Sequence, residues 1–166
     1  MKKMKFLCAL FMVAAISVGT LFGCGSKEAP EAKVDFETLQ KDMLSTKDEL
    51  PKMTTVSSKD DNGKELFTSL SDVEYDKVQD YFYSYATEGS ASEVAVVFVK
   101  NEEDVKAMEE SLKEHLQSRR STYENYSPDQ VEIADGAVVF SKGNYVCFIM
   151  NKELSHIKAT FESAME

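Results

Sequence analysis

The sequence predicts an α+β domain, a mainly antiparallel sheet of four or five strands with helices packed on it. Three observations predict it. Val94-Ala95-Val96-Val97-Phe98-Val99 is an unbroken apolar run, the pattern of a central strand covered on both faces. Beyond it Val105, Met108, Leu112, Leu116, Arg119 and Tyr123 recur at intervals of three and four, which is one stripe of a long helix. Near the end, two β-rich runs, Ala137 to Ser141 and Tyr145 to Met150, are joined through Lys142-Gly143-Asn144, a hairpin signal.

In chain order, Phe36, Leu39, Met43 and Leu44 have helical spacing behind Asp35, a residue type that caps helices by accepting a backbone N–H. Glu49-Leu50-Pro51 breaks that helix. Met53 to Ser57 is a strand candidate, the turn Asp60-Asp61-Asn62-Gly63 follows, and Lys64 to Leu70 suits a short helix. Val78 to Ala86 fits either a helix or a strand, and its aromatic content favours strand. Asn101 is placed to cap the long helix, whose first turn holds Glu102, Glu103 and Asp104 where the helix dipole favours negative charge. Pro128 ends any continuation. A last helix carries Leu154, Ile157, Phe161 and Met165.

Residues 1 to 34 have a different character. Lys2, Lys3 and Lys5 precede seventeen uncharged residues, Phe6 to Phe22, the layout of an export signal. The apolar stretch is shorter than the roughly 20 residues a permanent spanning helix needs. It ends in Leu21-Phe22-Gly23-Cys24-Gly25-Ser26, which resembles the lipobox of bacterial lipoproteins, with Phe22 bulkier than usual. That resemblance implies cleavage between Gly23 and Cys24 and lipid, with acyl chains such as palmitate, on Cys24. Two or more chains hold a protein to a bilayer where one holds only marginally, each buried CH₂ contributing about 0.8 kcal/mol. The expected organisation is a lipoprotein signal peptide over 1–23, a lipidated cysteine and flexible tether over 24–34, and one domain over 35–166.

Loss of residues 1–23 removes three of the 19 basic side chains and none of the 29 acidic ones, taking the formal charge from -10 to -13. Such a surface is repelled by phosphate backbones, so a nucleic-acid partner is not expected. Of the three cysteines, Cys8 leaves with the signal and Cys24 takes lipid. Cys147 then has no partner for an intramolecular disulfide.

Catalytic and metal motifs are hard to find. Cys147 lies in an apolar run with no basic neighbour in sequence to lower its pKa, so it reads as a core residue. His115 and His156 are the only histidines and do not have the H-E-x-x-H spacing of a zinc site. Asp60-Asp61-Asn62-Gly63 resembles the opening of a calcium loop, but the register puts Ser58 and Ser69 where acids are required. Ser71-Asp72-Val73-Glu74 has the form of a capping box and marks a turn or helix start. No metal, cofactor or catalytic residue is therefore assigned. One constellation stands out as a candidate binding patch: Arg119, Arg120, Tyr123 and Tyr126, residue types that binding hot spots favour. The structural alternative is that Arg119 pairs with an acid while the tyrosines pack on the sheet.

Tyr81-Phe82-Tyr83-Ser84-Tyr85-Ala86, the run Ala91 to Lys100, Arg119-Arg120 with Tyr123 to Gln130, and Lys142-Gly143-Asn144-Tyr145-Val146 resemble the family known as domain of unknown function 4358. The resemblance covers roughly residues 60 to 165. It implies a shared fold and a localisation, since those proteins are mostly small lipoproteins of Gram-positive bacteria. It implies no activity.

The expected function is a lipoprotein anchored through Cys24 on the extracytoplasmic face of the cell membrane. It would act as a non-catalytic module binding an envelope protein or small ligand. A small extracytoplasmic enzyme of unknown chemistry is the alternative, and a spacer the third reading. A deep pocket uniting His115 or His156 with Cys147 would favour the enzyme, and an exposed aromatic patch the binding module.

Overall fold

The computed structural model describes residues 32–166 other than 47 and 49. The export signal, Gly23, Cys24 and most of the tether lie outside the described residues. Helix α1 (Phe36–Leu44) starts where Asp35 accepts the Thr38 N–H at 2.8 Å. Strand β1 (Met53–Ser57) leads through the Asp60–Gly63 turn into the short α2 (Gly63–Phe67), and β2 (Val78–Ala86) and β3 (Glu93–Val99) follow. The long helix α3 (Val105–Tyr126), a five-residue α4 (Val131–Asp135), the hairpin β4 (Val138–Lys142) and β5 (Tyr145–Met150), and α5 (Leu154–Ala164) complete the chain.

The strands form one sheet of order β1-β2-β3-β5-β4, every neighbouring pair antiparallel. This is the α+β architecture expected. Helices cover both faces, which explains why all of β3 is buried although a one-sided sheet would alternate. On one face Tyr81, Tyr83, Ala95, Val97, Phe148 and Met150 meet Phe67 of α2, Met108 and Leu112 of α3 and Ala134 of α4. On the other, Phe82, Val94, Val96, Cys147 and Ile149 meet Phe36, Leu39 and Met43 of α1 and Ile157 and Phe161 of α5. Gly143, at φ 58°, opens the two-residue turn between the paired Lys142 and Tyr145. Glycine takes that left-handed conformation without a Cβ penalty.

Local departures from expectation have local causes. Asn101 makes no capping bond to backbone. Its amide donates to Asp104 instead, and Glu102–Asp104 forms a tight 3-10 turn ahead of α3. Helix α2 stops at Phe67, short of Leu70, where the Thr68 and Ser69 hydroxyls donate back to the Glu65 and Leu66 carbonyls. Such side-chain bonds compete with helix continuation. Pro128 does end α3, yet it opens a 3-10 turn that runs into the unforeseen α4, because proline is well tolerated at a helix's first position. The Ser71–Glu74 capping box does not form; the Ser71 hydroxyl accepts the Val73 N–H in a turn.

Candidate functional site

Residues four apart lie on one side of a helix, so α3 presents His115, Arg119 and Tyr123 in a row toward the sheet. Opposite them stands Glu93, the first residue of β3. Its side chain points to the α3 face because residues two apart share a face with Ala95 and Val97. Glu93 is 1 % exposed. A carboxylate so deep is sustained only by multiple partners, and it has three. Tyr83 Oη donates to Oε2 at 2.6 Å, His115 Nε2 lies 2.8 Å from the same oxygen, and Arg119 Nε donates to Oε1 at 2.5 Å.

The network extends one layer further. Arg119 Nη2 donates to Tyr123 Oη at 2.7 Å, and that phenol donates to the Ser90 carbonyl at 3.2 Å. The guanidinium also lies 5.0 Å from the Tyr123 ring centroid, within cation–π range. His115 is held edge-on between the rings of Tyr83 and Phe148. Burial pushes the Glu93 carboxyl up, but His115, then Arg119 and Tyr83, outweigh it, and its pKa falls below the ordinary 4.5. Burial and the Glu93 charge push the Tyr83 phenol far up, so it remains a proton donor.

Above this network is a hollow of about 420 Å³ walled by Ser69, Tyr83, Tyr85, His115 and Arg119. Tyr85 pairs in register with Glu93, and its ring is 5.1 Å from that of Tyr83. A second hollow of about 250 Å³ shares Ser69 and His115 and adds Asp72, Ser111, Glu114 and Ser118. There the Ser111 hydroxyl donates to Asp72 Oδ1 at 2.7 Å and accepts the Asp72 N–H at 3.2 Å. These bonds tie the loop after α2 to α3. The His115 side chain is 11 % exposed and that of Arg119 36 %. Both are braced by Glu93 and open to the hollow.

The residues singled out by sequence divide between two places. Arg119 and Tyr123 belong to the Glu93 network. Arg120 points outward, its Nε 2.5 Å from Asp135 and its Nη1 2.5 Å from Glu124, and Tyr126 is 84 % exposed at the end of α3. Cys147 is fully buried on the opposite face of the sheet from His115, and burial raises its pKa well above the ordinary value. His156 sits near the end of α1, its Nε2 3.1 Å from the Ser45 carbonyl oxygen. The hollow therefore contains one histidine and no thiol. Sequence reasoning missed Glu93, Tyr83, Tyr85 and the role of His115. The available signal was an arginine on an otherwise apolar helical stripe, which demands a buried acid, and a glutamate opening an all-apolar strand, which could supply it.

The Asp60–Gly63 turn is structural. Asp60 accepts the Ser57 N–H at 2.6 Å, and the Gly63 carbonyl accepts the Tyr81 hydroxyl at 2.6 Å. Among the described residues no cluster of three or more His, Cys, Asp or Glu could hold a metal ion, and no helix is long and apolar enough to cross a membrane.

The family described as Domain of unknown function (DUF4358) matches residues 52–151, which include the whole sheet and every residue of the Glu93 network. The chain belongs to this family. The matched range ends short of α1 and α5. No curated protein and no solved structure matches the chain.

Proposed function

We propose that this protein is a lipid-anchored, extracytoplasmic binding module of the cell envelope, and that the hollow over Glu93 is where it binds. One observation carries the reading: a fully buried carboxylate braces Arg119 and His115 from below while both side chains open onto a tyrosine-walled hollow. Packing alone would be served better by apolar residues, since replacing a buried ion pair by well-packed hydrophobes is often neutral or stabilising. Rigidly supported polar groups in a concave, partly aromatic site are what ligand sites require.

The anchoring half of the proposal is supported by Lys2, Lys3 and Lys5, the apolar run Phe6 to Phe22, and Leu21-Phe22-Gly23-Cys24. The fold is compatible with display from a membrane. The chain enters the domain at Lys33, whose N–H donates to the Tyr145 hydroxyl at 2.6 Å beside Phe98. Glu93 is at the other end of β3, five residues or about 17 Å away. The hollow thus lies at the end of the sheet remote from Lys33.

An enzyme is the second reading, and the Glu93–His115 pair favours it, because a carboxylate that orients an imidazole suits acid–base work. Among the described residues, however, no Ser, Thr or Cys side chain hydrogen-bonds His115 as an activated nucleophile would. The site therefore suits binding better than nucleophilic catalysis. The test is cell fractionation combined with a photocrosslinking residue in place of Tyr85. The proposal expects membrane-associated protein and a saturable crosslinked product from the envelope. Protein in the cytosolic fraction, or labelling no different from that of the same crosslinker at exposed Tyr126, would reject it.

A further inference from the structure

Glu93 is too enclosed to touch a ligand, so the chemistry of the hollow is set by what its partners still offer. Arg119 spends Nε on Glu93 and one Nη2 hydrogen on Tyr123. The remaining Nη2 hydrogen and both on Nη1 have no partner among the described residues, so each Nη keeps a donor, and one from each makes the end-on fork of the guanidinium. Such a fork matches two oxygens of a carboxylate or phosphate. Tyr85 stands on the same wall, and its hydroxyl likewise has no partner among the described residues.

We infer that the hollow binds a small ligand carrying one carboxylate or phosphate oxyanion on the Arg119 fork, with a flat apolar body against Tyr83 and Tyr85. The inference rests on the binding reading above and narrows it to a ligand class. Size agrees, because about 420 Å³ is within the range of small-molecule pockets. Charge limits the ligand to a single anionic group. Glu93 offsets Arg119 from below, and Asp72 and Glu114 line the adjoining hollow beyond His115, so a polyanion extending that way would meet carboxylates. The aromatic wall gives the uncharged part of the ligand a stacking surface.

The protein contains two histidines, one in the hollow and one about a different helix, which makes ring NMR a direct readout with an internal control. Full-length protein in non-ionic detergent is titrated with benzoate, phenyl phosphate, benzamide and benzylamine while the His115 and His156 ring signals are followed. Benzoate, phenyl phosphate or both should shift His115 saturably and leave His156 in place, and the stronger of the two identifies the oxyanion. Arg119→Lys, which keeps the charge and loses the fork, should weaken binding about tenfold or more. Should that variant fail to fold, Tyr85→Ala removes half of the aromatic wall without removing any hydrogen bond to Glu93, and should weaken binding several-fold. Equal or stronger binding of benzylamine or benzamide overturns the oxyanion class and leaves the binding reading standing. If no probe shifts His115 while Tyr85 crosslinks to an envelope protein, the small-ligand inference falls alone. If neither occurs, both fall.

Discussion

Arg119 and Glu93, 26 residues apart in sequence, meet as an ion pair with Nε 2.5 Å from Oε1 at the junction of α3 and β3. The pair has consequences for stability as well as for binding. Removing one partner of a buried pair strands the other, which costs about 3–5 kcal/mol. Here the partner left behind, Arg119, is 36 % exposed and can turn to water, so Glu93→Ala is expected to destabilise by about 1–3 kcal/mol, chiefly through the Tyr83 hydroxyl left unpaired, and Glu93→Gln by less because the amide retains some hydrogen bonds. Urea midpoints at neutral pH check both. A loss below about 0.5 kcal/mol for Glu93→Ala would mean that the network carries no stability.

Acid should expose the same carboxylate. Its folded pKa is below the ordinary 4.5, so its contribution is present above the unfolded value and is lost as pH falls through the folded one. Wild-type stability should therefore drop more steeply below pH 4.5 than that of Glu93→Gln. Parallel stability–pH curves for the two proteins would contradict this.

Arg119 and Arg120 are adjacent yet should behave differently. Arg120 pairs with Glu124 and Asp135 at the exposed surface, and such pairs contribute about 0–1 kcal/mol. Arg120→Glu should therefore fold normally with little loss of stability and leave binding at the hollow unchanged, whereas Arg119→Lys should impair it. Comparing benzoate titrations of the two variants is the check, and an equal loss in both would favour a broad electrostatic patch over a defined site.

Cys147 lies under α5 with no exposure. Native protein should resist thiol reagents that label it fully in denaturant, and Cys147→Ala should cost about 1–2 kcal/mol through a small cavity. Rapid labelling in the folded state would move the thiol out of the core and revive a catalytic role for it.

The anchor is tested chemically. Mass spectrometry of the N-terminal peptide should find a diacylglycerol-modified Cys24, and Cys24→Ser should abolish that modification. An unmodified Cys24 in wild-type protein from its membrane would refute the proposal.

Most of the fold could be read from the sequence because its main signals are local and periodic. The bounds of β1, β2 and β5 follow from aromatic and β-branched runs, and the start of α1 from Asp35. The order β1-β2-β3-β5-β4 and the covering of both faces required tertiary structure, since pairing of β3 with β5 joins segments some fifty residues apart. The same distinction holds at the site. Arg119 and Tyr123 attracted notice through residue type, and Cys147 through its apolar setting. Glu93 attracted none, because a lone glutamate before an apolar run is identical in sequence to a solvated strand end. Only the packing of α3 across that end of the sheet encloses it, deprives it of water, and obliges Tyr83, His115 and Arg119 to take water's place.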